Sequence, residues 1–320
     1  ADGVSALQNN TTGGANTGLG RGAGYSNTTG NNNTFVGLFA GCANTTSSYN
    51  VGVGRYALCG ATGALNTAVG NRALQYSTGG CNVGTGPSAL GANTSGNKNT
   101  ASGYQSLGAN TTASQNTANG FMALRCNTTG SENTATGTCS LFSNVSGSCQ
   151  VATGFRALAS NTCGHRNTAT GAYALNANTT GSFNTASGYM ALFSNTTASY
   201  NVATGFCALK SNTTGTCNTA FGWRALPANT TSSGNTASGF YSLKCNTGQN
   251  NAAFGNRAAL NNTSGINNVA VGSESLCSNT TGTQNTAVGM NAVRNSTTAC
   301  NNTGLGYGAG FGLTTGNHNT

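Results

Sequence analysis

The chain of 320 residues has only 5% charged side chains, and its 12 Lys and Arg against 3 Asp and Glu give a formal net charge of +9. Disordered chains are usually rich in charge and in proline, whereas this one contains two prolines. Nucleic-acid-binding segments carry clustered Lys and Arg, and the bases here are scattered, so we expect no nucleic-acid partner. No apolar stretch reaches the length of a transmembrane helix, so we expect no membrane insertion in this segment.

A 17-residue repeat accounts for nearly every residue, and its template is N-T-A-x-G-x-x-A-L-x-x-N-T-T-G-x-x. We number its positions as slots 1 to 17, with Asn184 in slot 1 and Gly188 in slot 5. Repeats of this kind indicate stacked structural units. The chain opens in slot 3 and ends in slot 2, so its two ends would join into one consensus coil. We therefore expect residues 1–320 to be a single tandem array, cut from a longer array or fibre.

Each coil divides into segments with different roles. Slots 2 to 4 predict a short strand, with the alanine of slot 3 facing inward and slot 4 facing outward. Glycine in slot 5 indicates either a positive φ or a close approach to a neighbour. The Ala-Leu of slots 8 and 9 predicts a second inward segment, and N-T-T-G in slots 12 to 15 predicts a turn. The sequence therefore predicts an all-β protein, a β-solenoid of about nineteen 17-residue coils.

Large aromatic residues recur in slot 6. Such a stripe has two interpretations: the rings stack on one another along one chain, or they form a seam between chains, as exposed apolar patches often do. The seam hypothesis predicts a homo-oligomer joined side by side, end to end, or both. The candidate seam residues are Tyr104, Phe121, Phe155, Tyr189, Phe206, Trp223 and Phe240.

Asparagine in slot 12 is followed by Thr or Ser in slot 14 in most coils, which completes the acceptor motif for an N-linked glycan. If these side chains lie at surface turns, the sugars would form a row along the solenoid. The alternative is a ladder in which the amides bond from coil to coil. The candidate acceptors are Asn10, Asn27, Asn44, Asn93, Asn110, Asn127, Asn144, Asn178, Asn195, Asn212, Asn229, Asn262 and Asn279.

Twelve cysteines without zinc-type spacing favour an oxidising, extracellular setting. Their recurrence predicts disulfides between slots 7 and 17, and between slot 10 and the end of the next coil. Cys42 and Cys59 share slot 10 in adjacent coils, so this pairing is not unique. The candidate pairs are Cys139 with Cys149, Cys207 with Cys217, Cys59 with Cys81, and Cys277 with Cys300.

The sequence gives little support for a catalytic site or a metal site. Asp2, Glu132 and Glu274 are too far apart in the chain to form a carboxylate dyad, and His165 and His318 have no nearby acid to orient them. We therefore expect no enzyme activity, no metal site and no cofactor. The threonine pairs of Thr134-Ala135-Thr136 and Thr168-Ala169-Thr170 suggest a different hypothesis, a flat ice-binding surface.

The repeat N-T-A-x-G-x-x-A-L resembles the YadA-like head repeats of trimeric autotransporter adhesins and of related surface and phage fibres. That resemblance covers essentially the whole chain and implies a left-handed β-roll with three chains bundled side by side. The chain departs from those repeats by having threonine where they have serine, and by its many cysteines. Together with the composition, it predicts a non-catalytic extracellular fibre or adhesin stalk, glycosylated at repeat turns. The alternative is a solenoid that binds carbohydrate or ice.

Overall fold

The computed structural model describes residues 1–320, which form 18 three-residue β-strands and no helix. The chain divides into two compact units, residues 1–164 and 165–320. Within each unit the strands are parallel and stack coil upon coil, which confirms the prediction of an all-β solenoid. In the first unit the strands are β1 (Thr17–Leu19), β2 (Thr34–Val36), β3 (Val51–Val53), β4 (Thr67–Val69), β5 (Val83–Thr85), β6 (Thr100–Ser102), β7 (Thr117–Asn119), β8 (Thr134–Thr136) and β9 (Val151–Thr153). In the second unit they are β10 (Thr168–Thr170), β11 (Thr185–Ser187), β12 (Val202–Thr204), β13 (Thr219–Phe221), β14 (Thr236–Ser238), β15 (Ala252–Phe254), β16 (Val269–Val271), β17 (Thr286–Val288) and β18 (Thr303–Leu305).

Every strand occupies slots 2 to 4, as the repeat predicts, and buries only its central residue. Side chains alternate between the two faces of a strand, so the small residue of slot 3 points into the coil. Neighbouring strands pair without a shift, and Ala186 of β11 lies opposite Ala203 of β12. The register survives in the coils that are one residue shorter, since Val51 lies opposite Thr67. The missing residue is therefore absorbed outside the strand.

The glycine of slot 5 meets both conditions that the sequence suggested. Gly103 has a φ of +127°, a conformation that L-residues rarely adopt, and a Cβ built there would lie 2.5 Å from the carbonyl oxygen of Gly120 in the next coil. The glycines of slot 5 thus form a row in which each backbone packs against the next. A side chain in this row would push two coils apart, except at Gly306 in the last coil, where a Cβ would meet no atom within 4 Å.

Left-handed backbone also occurs at slots 7, 9 and 17, where most residues are not glycine. Met190, Leu192 and Tyr200 have φ values of 54°, 51° and 62°. This conformation costs an L-residue about 1–2 kcal/mol, and the consensus letters of the repeat give no sign of it. Leu192 is completely buried. The strained backbone of slot 9 therefore directs a leucine side chain into the core.

Two rows of buried asparagines hold each coil together. The amide nitrogens of Asn184 in slot 1 and Asn195 in slot 12 both donate to the carbonyl oxygen of Ala198 in slot 15, at 2.8 Å and 3.0 Å. Asn195 also donates to the side-chain oxygen of Asn178 in the preceding coil and accepts from Asn212 in the following one, both at 2.9 Å. The same side chains therefore close each coil and join it to its neighbours.

The slot 12 row has orphaned side-chain oxygens at three points. One is that of Asn229, although an asparagine follows it in a coil one residue shorter, and the other two lie where another residue replaces asparagine. Ala61 follows Asn44 in the row and Ser296 follows Asn279, and the side-chain oxygens of Asn44 and Asn279 are buried without a hydrogen-bond partner. The buried hydroxyl of Ser296 has no partner either. An unsatisfied buried acceptor costs about 1–3 kcal/mol, so these breaks are weak points of the row.

Restoring asparagine at one break is expected to stabilise the protein. In Ser296→Asn the new amide would reach the orphaned oxygen of Asn279 and the carbonyl oxygen of Ala299, as it does elsewhere in the row. We expect the free energy of unfolding to rise by about 1 kcal/mol, measured by urea denaturation followed by circular dichroism. Ser296→Ala is the matched control, because it removes the buried hydroxyl but leaves Asn279 unpaired. A gain for alanine equal to that for asparagine would contradict the explanation.

Candidate functional site

The side chains outside the core form three faces, which their contacts define. Slots 2 and 4 form the strand face. Slots 6, 7 and 10 form a second face, where Arg125 of slot 10 donates to Gln105 of slot 7 at 2.8 Å. Slots 13, 16 and 17 form the turn face, where Phe183 and Tyr200 of slot 17 stack with ring centroids 5.1 Å apart. Because coils stack in register, each slot becomes a row of side chains in neighbouring coils.

The aromatic residues of slot 6 stack face to face. In the second unit the rings of Tyr189, Phe206, Trp223 and Phe240 follow one another at centroid distances of 5.4, 5.7 and 5.1 Å, with interplanar angles of 11° to 14°. We call these four rings the aromatic row. They remain 39–43% exposed. The predicted stacking along one chain is therefore present, and it leaves ring edges, rather than ring faces, directed to solvent.

The remaining candidate seam residues lie in the first unit. Tyr104 and Phe121 stack at 5.5 Å and are 42% and 48% exposed, and Phe155 is 44% exposed. They occupy the same slot as the aromatic row, so the repeat places equivalent rings on the equivalent face of each unit. Whether a second chain covers these rings stays a prediction.

Positive charge gathers on the same face as the aromatic rings. Ten of the 12 bases lie in slots 6, 7 and 10, five in each unit, and only Lys98 and Arg166 lie elsewhere. Arg224 sits 5.1 Å from the ring centroid of Trp223. This grouping was missed from the sequence, because the bases are far apart in the chain and only stacking aligns them. The ten residues of this basic aromatic face are Arg21, Arg55, Arg72, Arg125, Arg156, Lys210, Arg224, Lys244, Arg257 and Arg294.

One acid lies among these bases. A carboxylate oxygen of Glu274 is 2.8 Å from a guanidinium nitrogen of Arg294, and its other oxygen is 3.6 Å from Arg257. The pair with Arg294 is two-pronged, since the Nε atom of Arg294 also donates to Glu274 at 2.9 Å. Glu274 therefore offsets part of the charge in three neighbouring coils, while the other bases of the second unit lie farther along the face.

The candidate glycan acceptors do not project from surface turns, so the expected surface placement is wrong, whereas glycosylation itself stays a prediction. Asn10 is half-buried, and the other twelve are 0–2% exposed. Their amide nitrogens already donate inside the coil, so the folded chain does not present them to a glycosyltransferase. The alternative interpretation, a ladder of amides, is the one observed. The twelve buried side chains are Asn27, Asn44, Asn93, Asn110, Asn127, Asn144, Asn178, Asn195, Asn212, Asn229, Asn262 and Asn279.

Each of the four candidate disulfides would join rows on different faces, so the fold does not bring these pairs of residues together. In Cys139 with Cys149 and in Cys207 with Cys217, slot 7 belongs to the basic aromatic face and slot 17 to the turn face. In Cys59 with Cys81 and in Cys277 with Cys300, slot 10 belongs to the basic aromatic face, whereas the end of the coil belongs to the turn face. Cys207 is 4% exposed and Cys277 8%, whereas the sulfur of Cys300 accepts hydrogen bonds from Thr283 on the turn face.

Cysteines that share a slot behave differently. The sulfur atoms of Cys42 and Cys59 lie 2.7 Å apart, which is the alternative that the sequence left open. Stacking in register brings the two residues together although 17 positions separate them in the chain. This is the one close pair of sulfur atoms within the basic aromatic face of the first unit.

The threonine pairs of β8 and β10 are exposed on the strand face, and the alanine between them is buried. Other strands interrupt the pattern, since β9 begins with Val151 and β13 ends with Phe221. The strand face is therefore mixed in chemistry, with hydroxyl groups beside apolar side chains.

The structure contains no helix that is long and apolar enough to cross a membrane. No protein-family model matches the chain, and no curated protein is significantly similar to it. The function is therefore inferred from the faces described above.

Proposed function

We propose that the chain is a non-catalytic structural solenoid, a segment of an extracellular fibre or adhesin stalk, whose chains associate side by side through the basic aromatic face. The observation that carries this proposal is the aromatic row of Tyr189, Phe206, Trp223 and Phe240, which stays 39–43% exposed. Large aromatic residues are enriched at the centres of protein–protein interfaces.

Stacking orders the rings of the aromatic row before a partner chain binds. The rings of the row are already held parallel by their neighbours at 5.1–5.7 Å, so a partner chain meets an ordered surface and little side-chain entropy is lost on association. The edges of the rings point outward, and edge-to-face contacts are a preferred geometry between aromatic groups. Three chains around a common axis, as the resemblance to YadA-like heads implies, would bring three such rows together.

The positive charge of the face predicts the direction in which added salt changes the association of chains. Side-by-side contact brings bases such as Arg224 and Lys244 near those of the partner, and the repulsion between them is screened over about 10 Å at 0.1 M ionic strength. Association should therefore strengthen as salt is added, opposite to an interface held by ion pairs. End-to-end growth of the solenoid buries no row of bases and should respond less to salt.

Removing two rings tests the proposal. In the double variant Phe206→Ser with Phe240→Ser, the two neighbours of Trp223 are lost. We expect self-association to weaken about thirtyfold or more, because a single aromatic anchor contributes about 2 kcal/mol or more to an interface. The measurement is sedimentation velocity over a range of chain concentrations at two salt concentrations.

The chain supplies a matched control on another face. Phe183→Ser with Tyr200→Ser removes a stacked pair of similar exposure, 41% and 59%, from the turn face. Self-association should be unchanged in this variant. Equal weakening in both variants, or weakening only in the control, would refute the proposed interface.

A second function, binding of acidic carbohydrate, is favoured by the five bases on this face of each unit. Because the ring faces of the aromatic row are covered by stacking, neutral sugars have little aromatic surface on which to lie. Carboxylate or sulfate groups could instead pair with Arg224, Lys244 and their neighbours. A glycan array would separate the two functions: saturable binding to acidic glycans that is lost in high salt supports the binding module, and no binding leaves the fibre.

A further inference from the structure

Cys42 and Cys59 occupy slot 10 of two successive coils in the first unit. Strands β2 and β3 pair in register, with Thr34 opposite Val51, so equal slots of these coils lie one above the other. The backbone joins the coils at this place too, because the N–H of Ala43 donates to the carbonyl oxygen of Cys59 at 2.8 Å. The two sulfur atoms face each other at 2.7 Å, closer than unbonded sulfur atoms usually approach.

We propose that Cys42 and Cys59 are a modification site, a dithiol that closes to a disulfide between the two coils. Stacked coils are spaced about 4.8 Å apart, which falls within the range of about 4.4–6.8 Å that a disulfide requires between Cα atoms. The bond therefore needs no movement of the backbone. By contrast, the sulfur of Cys300 faces a threonine and that of Cys149 faces the carboxylate of Glu132 at 3.4 Å.

The surroundings make the two thiols unequal. A hydrogen bond from the Cys59 thiol lowers the pKa of Cys42 to about 7, against the opposing effect of burial. The same hydrogen bond raises the pKa of Cys59 well above its usual value. A thiolate, rather than a thiol, is the nucleophile in disulfide exchange. Cys42 is therefore the attacking residue and Cys59 the resolving residue.

The oxidant that the reaction requires is a small-molecule disulfide, such as oxidised glutathione. The Cys42 thiolate attacks one sulfur of that disulfide, forms a mixed disulfide and expels one thiolate. Cys59 then loses its proton to solvent and attacks the sulfur of Cys42, which expels the second thiolate. Overall, two protein thiols become one disulfide, and one small disulfide is reduced to two thiols, so atoms and electrons balance.

The sequence allows a direct test by mass spectrometry. Trypsin cleaves after Arg21, Arg55 and Arg72, which places Cys42 in peptide 22–55 and Cys59 in peptide 56–72, each with one cysteine. After the folded chain is incubated with oxidised glutathione and alkylated, we expect one product that joins the two peptides and is two hydrogen atoms lighter than their sum. The product should disappear on reduction. Stable glutathione adducts on both peptides, or unmodified peptides under conditions that oxidise exposed Cys163, would overturn the proposal.

Alkylation rates provide a second readout that does not depend on the bond itself. At pH 7 a pKa of about 7 gives Cys42 many times more thiolate than an ordinary cysteine, and after the lower nucleophilicity of that thiolate is included, iodoacetamide should modify Cys42 about three to six times faster. In Cys59→Ala this advantage should be lost, because the hydrogen bond is gone. Cys163→Ala is the control and should leave the rate at Cys42 unchanged. A rate at Cys42 that does not respond to Cys59→Ala would contradict the assigned roles.

Discussion

Replacing Gly103 by alanine is expected to lower the free energy of unfolding by about 3 kcal/mol or more. The new methyl group would lie 2.5 Å from the carbonyl oxygen of Gly120 and 2.7 Å from its carbonyl carbon, which are backbone atoms that cannot move aside alone. The φ of +127° at Gly103 adds backbone strain for any L-residue. The change would be read from urea denaturation monitored by circular dichroism.

The control is a glycine outside the slot 5 row, because it shows the general effect of replacing a glycine by alanine. Gly14 in slot 16 does not have a positive φ, and a Cβ there would meet only the side-chain oxygen of Asn31 at 3.6 Å. Gly14→Ala should therefore change stability by less than about 1 kcal/mol, with gain as plausible as loss because alanine restricts the unfolded chain. Similar losses in both variants would contradict the packing that we describe for slot 5.

Replacing Asn127 by alanine is expected to cost about 3–5 kcal/mol. The amide nitrogen of Asn127 donates to the side-chain oxygen of Asn110 at 3.0 Å and to the carbonyl oxygen of Gly130 at 2.9 Å, and its oxygen accepts from Asn144 at 2.8 Å. All three partners lie where water does not replace the lost bonds: Asn110 and Asn144 are fully buried. The free energy of unfolding and the hydrogen-exchange protection of the neighbouring coils would measure the loss.

Asn127→Ser is the control, because serine occurs naturally in slot 12 of another coil. Ser77 occupies slot 12 in another coil, where its hydroxyl donates to the carbonyl oxygen of Gly79 at 3.1 Å and accepts from Asn93 at 2.9 Å. Ser77 lies in a coil one residue shorter, and in the 17-residue coil of Ser296 the hydroxyl has no partner. The bond that a serine at position 127 can keep is therefore the one accepted from Asn144, and through it we expect Asn127→Ser to recover part of the stability that Asn127→Ala loses. If the two variants were equally unstable, or if both were as stable as the parent chain, the asparagine row would not have the role assigned to it.

The repeat alone predicts the parts of the fold that follow from a local pattern. Slot 3 is small between two larger or polar residues, and this alternation correctly indicates a strand with one buried residue. Glycine without exception in slot 5 correctly indicates a position where a Cβ cannot fit. Each of these inferences needs only one coil, or one coil and its identical neighbour.

Whether a polar side chain points into the coil or towards solvent could not be predicted in the same way. The letters N-T-T-G suit an exposed turn, but they also suit a coil whose asparagine points inward and bonds to the coils above and below. The choice depends on the carbonyl oxygen of slot 15, which Asn184 and Asn195 share at Ala198. No local propensity reveals such an acceptor. The repetition of asparagine in both slot 1 and slot 12 was the available signal.

The sequence also does not reveal which slots share a face. This grouping of slots explains which cysteines come close together. Slots that are close in the chain, such as 7 and 17 of one coil, can belong to different faces, whereas the same slot in successive coils is always adjacent. That rule separates Cys207 and Cys217 but unites Cys42 and Cys59. Because slots 7 and 10 share a face, stacking also brings Arg224, Lys244 and their neighbours onto one basic face, although the sequence shows no run of positive charge.

The central claim, that chains associate through the basic aromatic face, is tested most directly by the emission of Trp223. It is the only tryptophan of the chain, it is 39% exposed, and it lies in the aromatic row. As chain concentration or salt is raised, we expect its emission to shift to shorter wavelength and its quenching by acrylamide to fall, in step with the increase in mass measured by sedimentation. If the mass increases while emission and quenching stay constant, association occurs elsewhere and the claim is wrong.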